Sequence, residues 1–262
     1  MPMDLFYNYL EMPMRRKTPL EIETTEPQLC SIDLRLEILA RLPFFTGLTQ
    51  AELEQANHLF HEKGYQPEEV IYFAGDPAGQ LFVVAEGRVK LMRHTLAGKD
   101  ILLDILTPGE FFGDLSPSAG SLYPDTAQAL TAACILVINA QDFRRILNRH
   151  PRVALKVLDI MSERLRAAYE QVRQLNVLTV EQRIAYVLLL LSDKIGKPSQ
   201  VGLLIQVPLG RRDLAGLTGT TTETASRVVS RFTKESLIQT GRQWISVIDR
   251  SGLAAIAEEG IL

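Results

Sequence analysis

The run "RVALKVLDIMSERLRAAYEQVRQLNVL", residues 152–178, contains neither Gly nor Pro. It reads as one long helix, because nothing in it breaks the hydrogen-bond ladder. Pro151 stands just before it, in the first-turn position where proline is tolerated. Leu158, Met161, Leu165, Ala168, Val172 and Leu175 recur at gaps of 3, 4, 3, 4 and 3, which is a heptad seam. Such a helix could lie on its own domain. The narrow, unbroken seam favours a coiled coil between two copies of the chain, a homodimer.

Ahead of this helix the texture differs. Residues 1–30 hold four prolines and the acidic run "EIETTEP", and read as a flexible tail. Residues 31–48 have helical spacing. Residues 49–65 open with Thr49-x-x-Glu52, the start of a capped helix predicted to run on toward Tyr65. His58 and His61 would then share a face. From Gly64 to Gly113, glycines punctuate short apolar segments about every ten residues: "EVIYFAG", "QLFVVAEG", "RVKLMRHT" and "DILLDILTPG". After a Ser/Pro/Gly loop comes "TAQALTAACILVIN". Short strands joined by Gly turns predict a compact β-barrel or roll. A helix over 139–150 closes this part.

Beyond the long helix, residues 180–196 are amphipathic, and a polar connection leads to "RRDLAGLTG" (211–219). This is a short helix with Leu214, Ala215 and Leu217 facing inward, ended by Gly219. A second helix starts within Thr220–Thr222 and puts Ala225, Val228, Val229 and Phe232 on one face. The other face carries Glu223, Ser226, Arg227, Ser230 and Arg231. Residues 236–249 read as two strands turning at Gly241-Arg242. Helix, Gly turn, helix and hairpin make a winged helix-turn-helix.

The second helix of that motif enters the major groove with its N-terminal residues at the base edges. Arg227 has the fork for a guanine's O6 and N7, and Glu223 can accept from a cytosine amine. Ser226 is short enough to let the helix come close, and Thr221 and Thr222 stand at the same end. Arg211 is the expected phosphate contact. A competing account makes Thr220 and Glu223 a capping box and Arg227 an i+4 partner of Glu223. Residues 179–262 hold ten Lys/Arg against eight Asp/Glu, while the whole chain is at −3. The basic end is therefore the one that carries this motif.

In this order the parts resemble the Crp/Fnr family of bacterial transcription regulators, over roughly residues 35–250. The resemblance implies an α+β fold: an N-terminal cyclic-nucleotide-binding-type β-roll (31–150), a dimerisation helix (151–178) and a winged helix-turn-helix (179–250). "TETASR" (222–227) is similar to the fumarate-and-nitrate-reduction branch, with its Glu, Ser and Arg, and implies half-sites like TTGAT and ATCAA. It also implies RNA polymerase as a partner and effector-driven reorientation of the DNA-reading domains. The family's phosphate cassette corresponds here to Phe112-Gly113-Asp114-Leu115 and Asp125-Thr126. Asp125 stands where the phosphate-binding Arg belongs, and a carboxylate repels phosphate. Cyclic AMP is therefore not expected.

Relatives with iron–sulfur clusters use four cysteines. This chain has Cys30 and Cys134 only, so no cluster is expected; a two-cysteine redox switch stays open, while Cys134, in an apolar strand, reads as a buried, inert thiol. Haem held through one of His58, His61, His94 or His150 stays open as an alternative. No metal site, catalytic triad, carboxylate pair or P-loop stands out, and the chain reads as no enzyme. Two cysteines and the absence of a long apolar run point to a cytoplasmic protein. The rival function is a cyclic-nucleotide-binding regulatory module without DNA binding. It would need Arg at position 125 and no use for 211–249.

Overall fold

A computed structural model describes residues 19–20, 31–94, 100–114 and 120–258. The tail 1–30, apart from residues 19 and 20, lies outside them, as does Leu115 of the cassette. The elements before the long helix are α1 (Ile32–Arg41), a 3-10 turn (Pro43–Phe45), α2 (Gln50–Asn57), β1 (His61–Tyr65), β2 (Val70–Tyr72), β3 (Gln80–Glu86), β4 (Val89–His94), β5 (Asp100–Leu106), β6 (Phe111–Gly113), β7 (Thr126–Ala129), β8 (Ala133–Asn139) and α3 (Ala140–Arg149). The long helix is α4 (Pro151–Val177). After it come α5 (Val180–Ile195), β9 (Gly196–Ser199), β10 (Gly202–Ile205), α6 (Arg211–Leu217), α7 (Thr222–Lys234), β11 (Ile238–Gly241), β12 (Trp244–Val247) and α8 (Arg250–Glu258).

Two four-stranded antiparallel sheets, β1-β8-β3-β6 and β2-β7-β4-β5, make the roll. The alternating side chains of β3 and β8 go to two different cores, because successive residues of a strand point to opposite faces. Phe82, Val84, Ala133 and Ile135 pack inside the roll with Tyr72, Phe112 and Tyr123. Leu81, Val83, Cys134, Leu136 and Ile138 pack outward against Ile38, Leu39, Phe44, Phe45, Leu53 and Phe143 of the helical layer. Both strands are thus buried on both faces, which is why they read as continuous apolar runs.

The predicted helix 49–65 is shorter than its periodicity suggests. Thr49 and Glu52 form the capping box, but α2 stops at Asn57 and residues 61–65 are β1, paired with β8. The reason lies in α1. Arg35 donates to the carbonyls of Asn57 (3.0 Å) and Phe60 (2.8 Å) and to Asn57 Oδ1 (3.0 Å). The Asn57 carbonyl, which also accepts from the Phe60 amide at 3.1 Å, and the Phe60 carbonyl just beyond the helix are thus tied to α1 where the chain turns into β1. His58 therefore caps α2 and His61 lies on a strand, so they share no helix face.

Pro151 opens α4 at its first turn. Val153 and Val157 are buried against the helical layer and Met161 is half-buried there. From there on the seam is bare: Leu165 is 55%, Val172 56% and Leu175 42% exposed, with Ala168 also open and Leu158 at 62%.

The C-terminal part is a head built on α5, α6, α7, α8 and the sheet β11-β12-β10-β9. The connection expected between 196 and 211 contains the hairpin β9–β10, and α8 extends the head beyond residue 250. β9 escapes a periodicity search because "GKPS" has no apolar alternation. It is an edge strand, where Pro198 needs no ladder bond. The hairpin after α7 turns at Arg242-Gln243, with Gly241 paired to Trp244 and Gln243 at φ +61°. No helix among the described residues is long and apolar enough to cross a membrane.

Candidate nucleic-acid interface and sensor pocket

α6 begins where the Gly210 amide donates to Asp213 Oδ2 at 2.7 Å. It buries Leu214 and Ala215. It ends in a Schellman turn: the Gly219 amide bonds the Gly216 carbonyl at 3.3 Å, and the Thr220 amide bonds the Ala215 carbonyl at 2.9 Å. Gly219 sits at φ +61°, a conformation that costs other L-residues about 1–2 kcal/mol. The turn thereby fixes the angle between α6 and α7.

The residue that caps α7 is Thr221. Its hydroxyl accepts from the Thr224 amide at 3.2 Å and donates to the Thr224 hydroxyl at 3.0 Å. A Thr220–Glu223 capping box is therefore not formed. Ala225, Val229 and Phe232 are wholly buried against the head's core, with Val228 packed beside them. That burial turns the other face outward. Thr222, Glu223 and Arg227 are exposed and Ser226 is half-exposed. Among the described residues neither Glu223 nor Arg227 has an ion-pair or hydrogen-bond partner for its side chain. The i+4 pairing that would explain both as a solvated helix face is absent. Arg231, on the same face in the sequence, is otherwise engaged. It pairs with Glu181 of α5 and lies 3.8 Å from Glu235, so it ties α7 to its neighbour.

Arg211 is half-buried under the wing, and its Nη2 donates to Thr240 Oγ1 of β11 at 3.2 Å. Burial lowers its pKa from the ordinary value, but a guanidinium remains charged. The sequence reading missed Thr240, which no periodicity could flag, since only the fold of β11 against α6 brings it to Arg211.

In the roll, the structure brings Phe112 and Asp125 together through a residue that sequence spacing did not single out. Tyr72 lies 6.1 Å from the Phe112 ring, centre to centre, and its hydroxyl donates to Asp125 Oδ1 at 3.0 Å. Burial and the neighbouring Asp125 push the Tyr72 pKa upward, so at neutral pH the phenol is a donor. Burial raises the pKa of Asp125, and the Tyr72 bond and the Arg93 charge oppose that rise. Tyr72 and Tyr123 stack at 3.9 Å, and Phe82 and Phe112 at 5.1 Å. Thr126, 2% exposed, accepts from the Ala74 amide at 3.0 Å. Gly113 has φ +90°, and a β-carbon there would meet the Gln80 carbonyl at 2.5 Å. Asp114 follows it, half-buried, with its amide bonded to the same carbonyl at 3.0 Å.

The cassette's geometry is thus present while its polar groups serve the protein. Asp125 accepts from a phenol and Thr126 from a backbone amide. A phosphodiester set against Asp125 meets a carboxylate, so these residues do not fit cyclic AMP. An iron–sulfur cluster does not fit either. Cys134, 5% exposed on β8, is disulfide-bonded, which corrects the expectation of an inert thiol. Cys30 lies outside the described residues. Among the described residues no three His, Cys, Asp or Glu side chains are grouped to hold a metal.

Comparison with known proteins agrees with this architecture. A cyclic nucleotide-binding domain is matched over residues 62–150 and a Crp-like helix-turn-helix domain over residues 182–256. The chain is 31% identical over 215 residues to a cyclic AMP receptor protein of Thermus thermophilus, covering 82% of this chain and 96% of that one. It is 28% identical over 221 residues to a probable transcriptional regulator, flp, of Lacticaseibacillus casei, covering 83% and 97%. The solved structure of FixK2 from Bradyrhizobium japonicum shares the fold, with TM-score 0.65 and 23% identity over 75% of this chain and 96% of that one.

The cap gives a direct test of the local reading. Thr221→Ala removes the bond to the Thr224 amide and should cost about 1 kcal/mol of stability. The urea midpoint should fall with an unchanged m value. With a roll of cyclic-nucleotide-binding type, a long helix and a winged helix-turn-helix in this order, and with these relatives matched along most of their length, the chain belongs to the Crp/Fnr family of DNA-binding transcription regulators.

Proposed function

We infer that the protein is a homodimer that reads a palindromic operator, with its roll sensing a signal other than cyclic AMP. The observation that carries this reading is the pair Glu223 and Arg227. Both are exposed at the start of α7 without a partner among the described residues. An unpaired Arg next to an unpaired Glu on a helix aimed outward suits one G·C pair: the Arg fork on guanine O6 and N7, the carboxylate on the cytosine amine. Ser226 between them suits close approach, and Thr221 and Thr222 lie at the same helix end. Arg211, positioned by Thr240, serves a phosphate. By resemblance the half-sites are TTGAT and ATCAA, and RNA polymerase is the partner on DNA.

The bare seam of α4 supports the dimer. Leu158, Leu165, Val172 and Leu175 put large apolar side chains into water along one line, with Ala168 leaving room for close approach. A second copy would cover them. Met161, half-buried against its own roll, would join the seam at the upper end. Domain limits follow the same division: sensor to 150, dimer helix 151–178, reading head from 179 on. The cyclic AMP receptor relative carries its ligand in its name. Here the internal Tyr72–Asp125 bond supports a different effector.

Arg227→Ala should cost about 1–3 kcal/mol per half-site and relax preference at the G·C pair. Selection from random duplexes by wild type and variant measures this, and an unchanged, fixed G·C pair in the variant would sink the base-reading role. Leu165→Glu with Val172→Glu places charges in an apolar contact. Sedimentation should show monomers, with operator affinity lost. A variant that stays dimeric would move the interface elsewhere. Calorimetry with cyclic AMP should show no binding in the micromolar range, and micromolar affinity would contradict the part given to Asp125.

A further inference from the structure

The reading head touches the roll of its own chain at a second place besides the α4–α5 hinge, and that contact is unusually close. Gly216, in the last turn of α6, lies against β5. A β-carbon at Gly216 would stand 2.7 Å from the Leu102 amide nitrogen and 3.5 Å from Ile101 Cα. Leu102 and Ile105 of β5 are buried in the head's apolar cluster, where Met92 and Leu130 of the roll also pack. β5 is the edge strand of its sheet, and α6 covers it. At the rim, Lys194 in the last turn of α5 bridges Asp104 Oδ1 at 3.3 Å and Glu110 Oε2 at 3.0 Å.

The hinge is the other anchor. α4 ends at Val177 and α5 starts at Val180. Arg183 donates to the Leu175 carbonyl at 2.9 Å. A β-carbon on Gly219, in the turn before α7, would stand 2.9 Å from Leu175 Cδ2. One anchor alone would let the head swing about it. Two anchors, at Leu175 and at Leu102, fix the direction of α7 relative to α4.

We propose that the α6–β5 contact, made by Gly216 against Leu102 and by Lys194 between Asp104 and Glu110, sets the half-site spacing that the protein accepts. Gly216 and Lys194 are then specificity-determining residues that touch no base. The inference rests on the dimeric, palindrome-reading function proposed above. Adding one base pair between half-sites moves them apart by about 3.4 Å and rotates them by about 36°. A head held at two points does not follow that change, so the DNA must deform and spacing is discriminated. A head held only at its hinge follows it.

The test uses the full chain and duplex libraries in which half-sites are separated by varied spacers. Gly216→Ala places a methyl group against the β5 backbone, while alanine favours the helix itself more than glycine does. Lys194→Met removes both ion pairs at the rim, where folding is least at risk. Wild type should prefer one spacing over its neighbours by about tenfold, and both variants should reduce this to about threefold or less while selecting the same half-site. Arg227→Ala should do the opposite, relaxing the base preference and keeping the spacing sharp. If Gly216→Ala does not fold, as judged by circular dichroism, Lys194→Met decides alone. Half-sites selected with spacing as sharp in the variants as in wild type would overturn the inference. Failure of the wild type to select any palindrome would instead remove the dimeric reading beneath it.

Discussion

The protein depends on β3 and β8 being buried on both faces. Their mutual pairing, from Gln80 opposite Asn139 to Val84 opposite Ile135, holds two cores apart by the thickness of one sheet. On one side lies the aromatic interior of the roll, and on the other the helical layer that receives Val153 and Val157 of α4. A side-chain movement at Phe82 is therefore one residue away from Leu81 and Val83, which face the helices. Close-packed interiors transmit such shifts instead of absorbing them. β6, on the far edge of the same sheet, adds a second link: the Phe111 carbonyl accepts from Arg164 of α4 at 2.8 Å, with the guanidinium 4.0 Å over the Phe111 ring. The neighbouring Phe112 faces the roll interior. The roll and the long helix are thus joined through backbone that belongs to both.

In the roll, the residues that correspond to the family's cassette make their contacts within the protein. Gly113 keeps the close approach of β6 to Gln80 that the cassette needs. Asp125 keeps its place at the head of β7. With a carboxylate there, the local partner becomes a hydroxyl from β2, and Tyr72 stacks on Tyr123 to fill the space above it. The inner faces are aromatic and the polar groups are satisfied from within. The Tyr72 hydroxyl and the Ala74 amide thus hold the two polar side chains of β7's start, Asp125 and Thr126.

Much of this was legible in the sequence, and the parts that were not have physical reasons. The seam of α4, the Gly turn before α7 and the apolar face of Ala225, Val229 and Phe232 follow from periodicity and glycine chemistry, which are local. The length of α2 was not legible, since Arg35 ends it from another helix. Thr221 was one of three adjacent threonines that could cap α7, and only the backbone distinguishes them. Tyr72 sits 53 positions from Asp125, and no spacing rule connects them. Arg231 shares the outward face of α7 in the sequence, and only the packing of α5 shows that Glu181 takes it. β9 was hidden because an edge strand with a proline carries no alternation. Side chains that act within one element were readable, and those that act between elements were not.

β9 also has a consequence for the open edge of the head's sheet. β9 leaves one edge of the β11-β12-β10-β9 sheet open, and its exposed residues include Lys197 and Pro198. An open edge is a template on which a foreign strand can pair and start aggregation. Proline offers no amide to that pairing, and a lysine beside it makes burial of the edge costly. Pairing of a foreign strand on the β9 edge is therefore disfavoured.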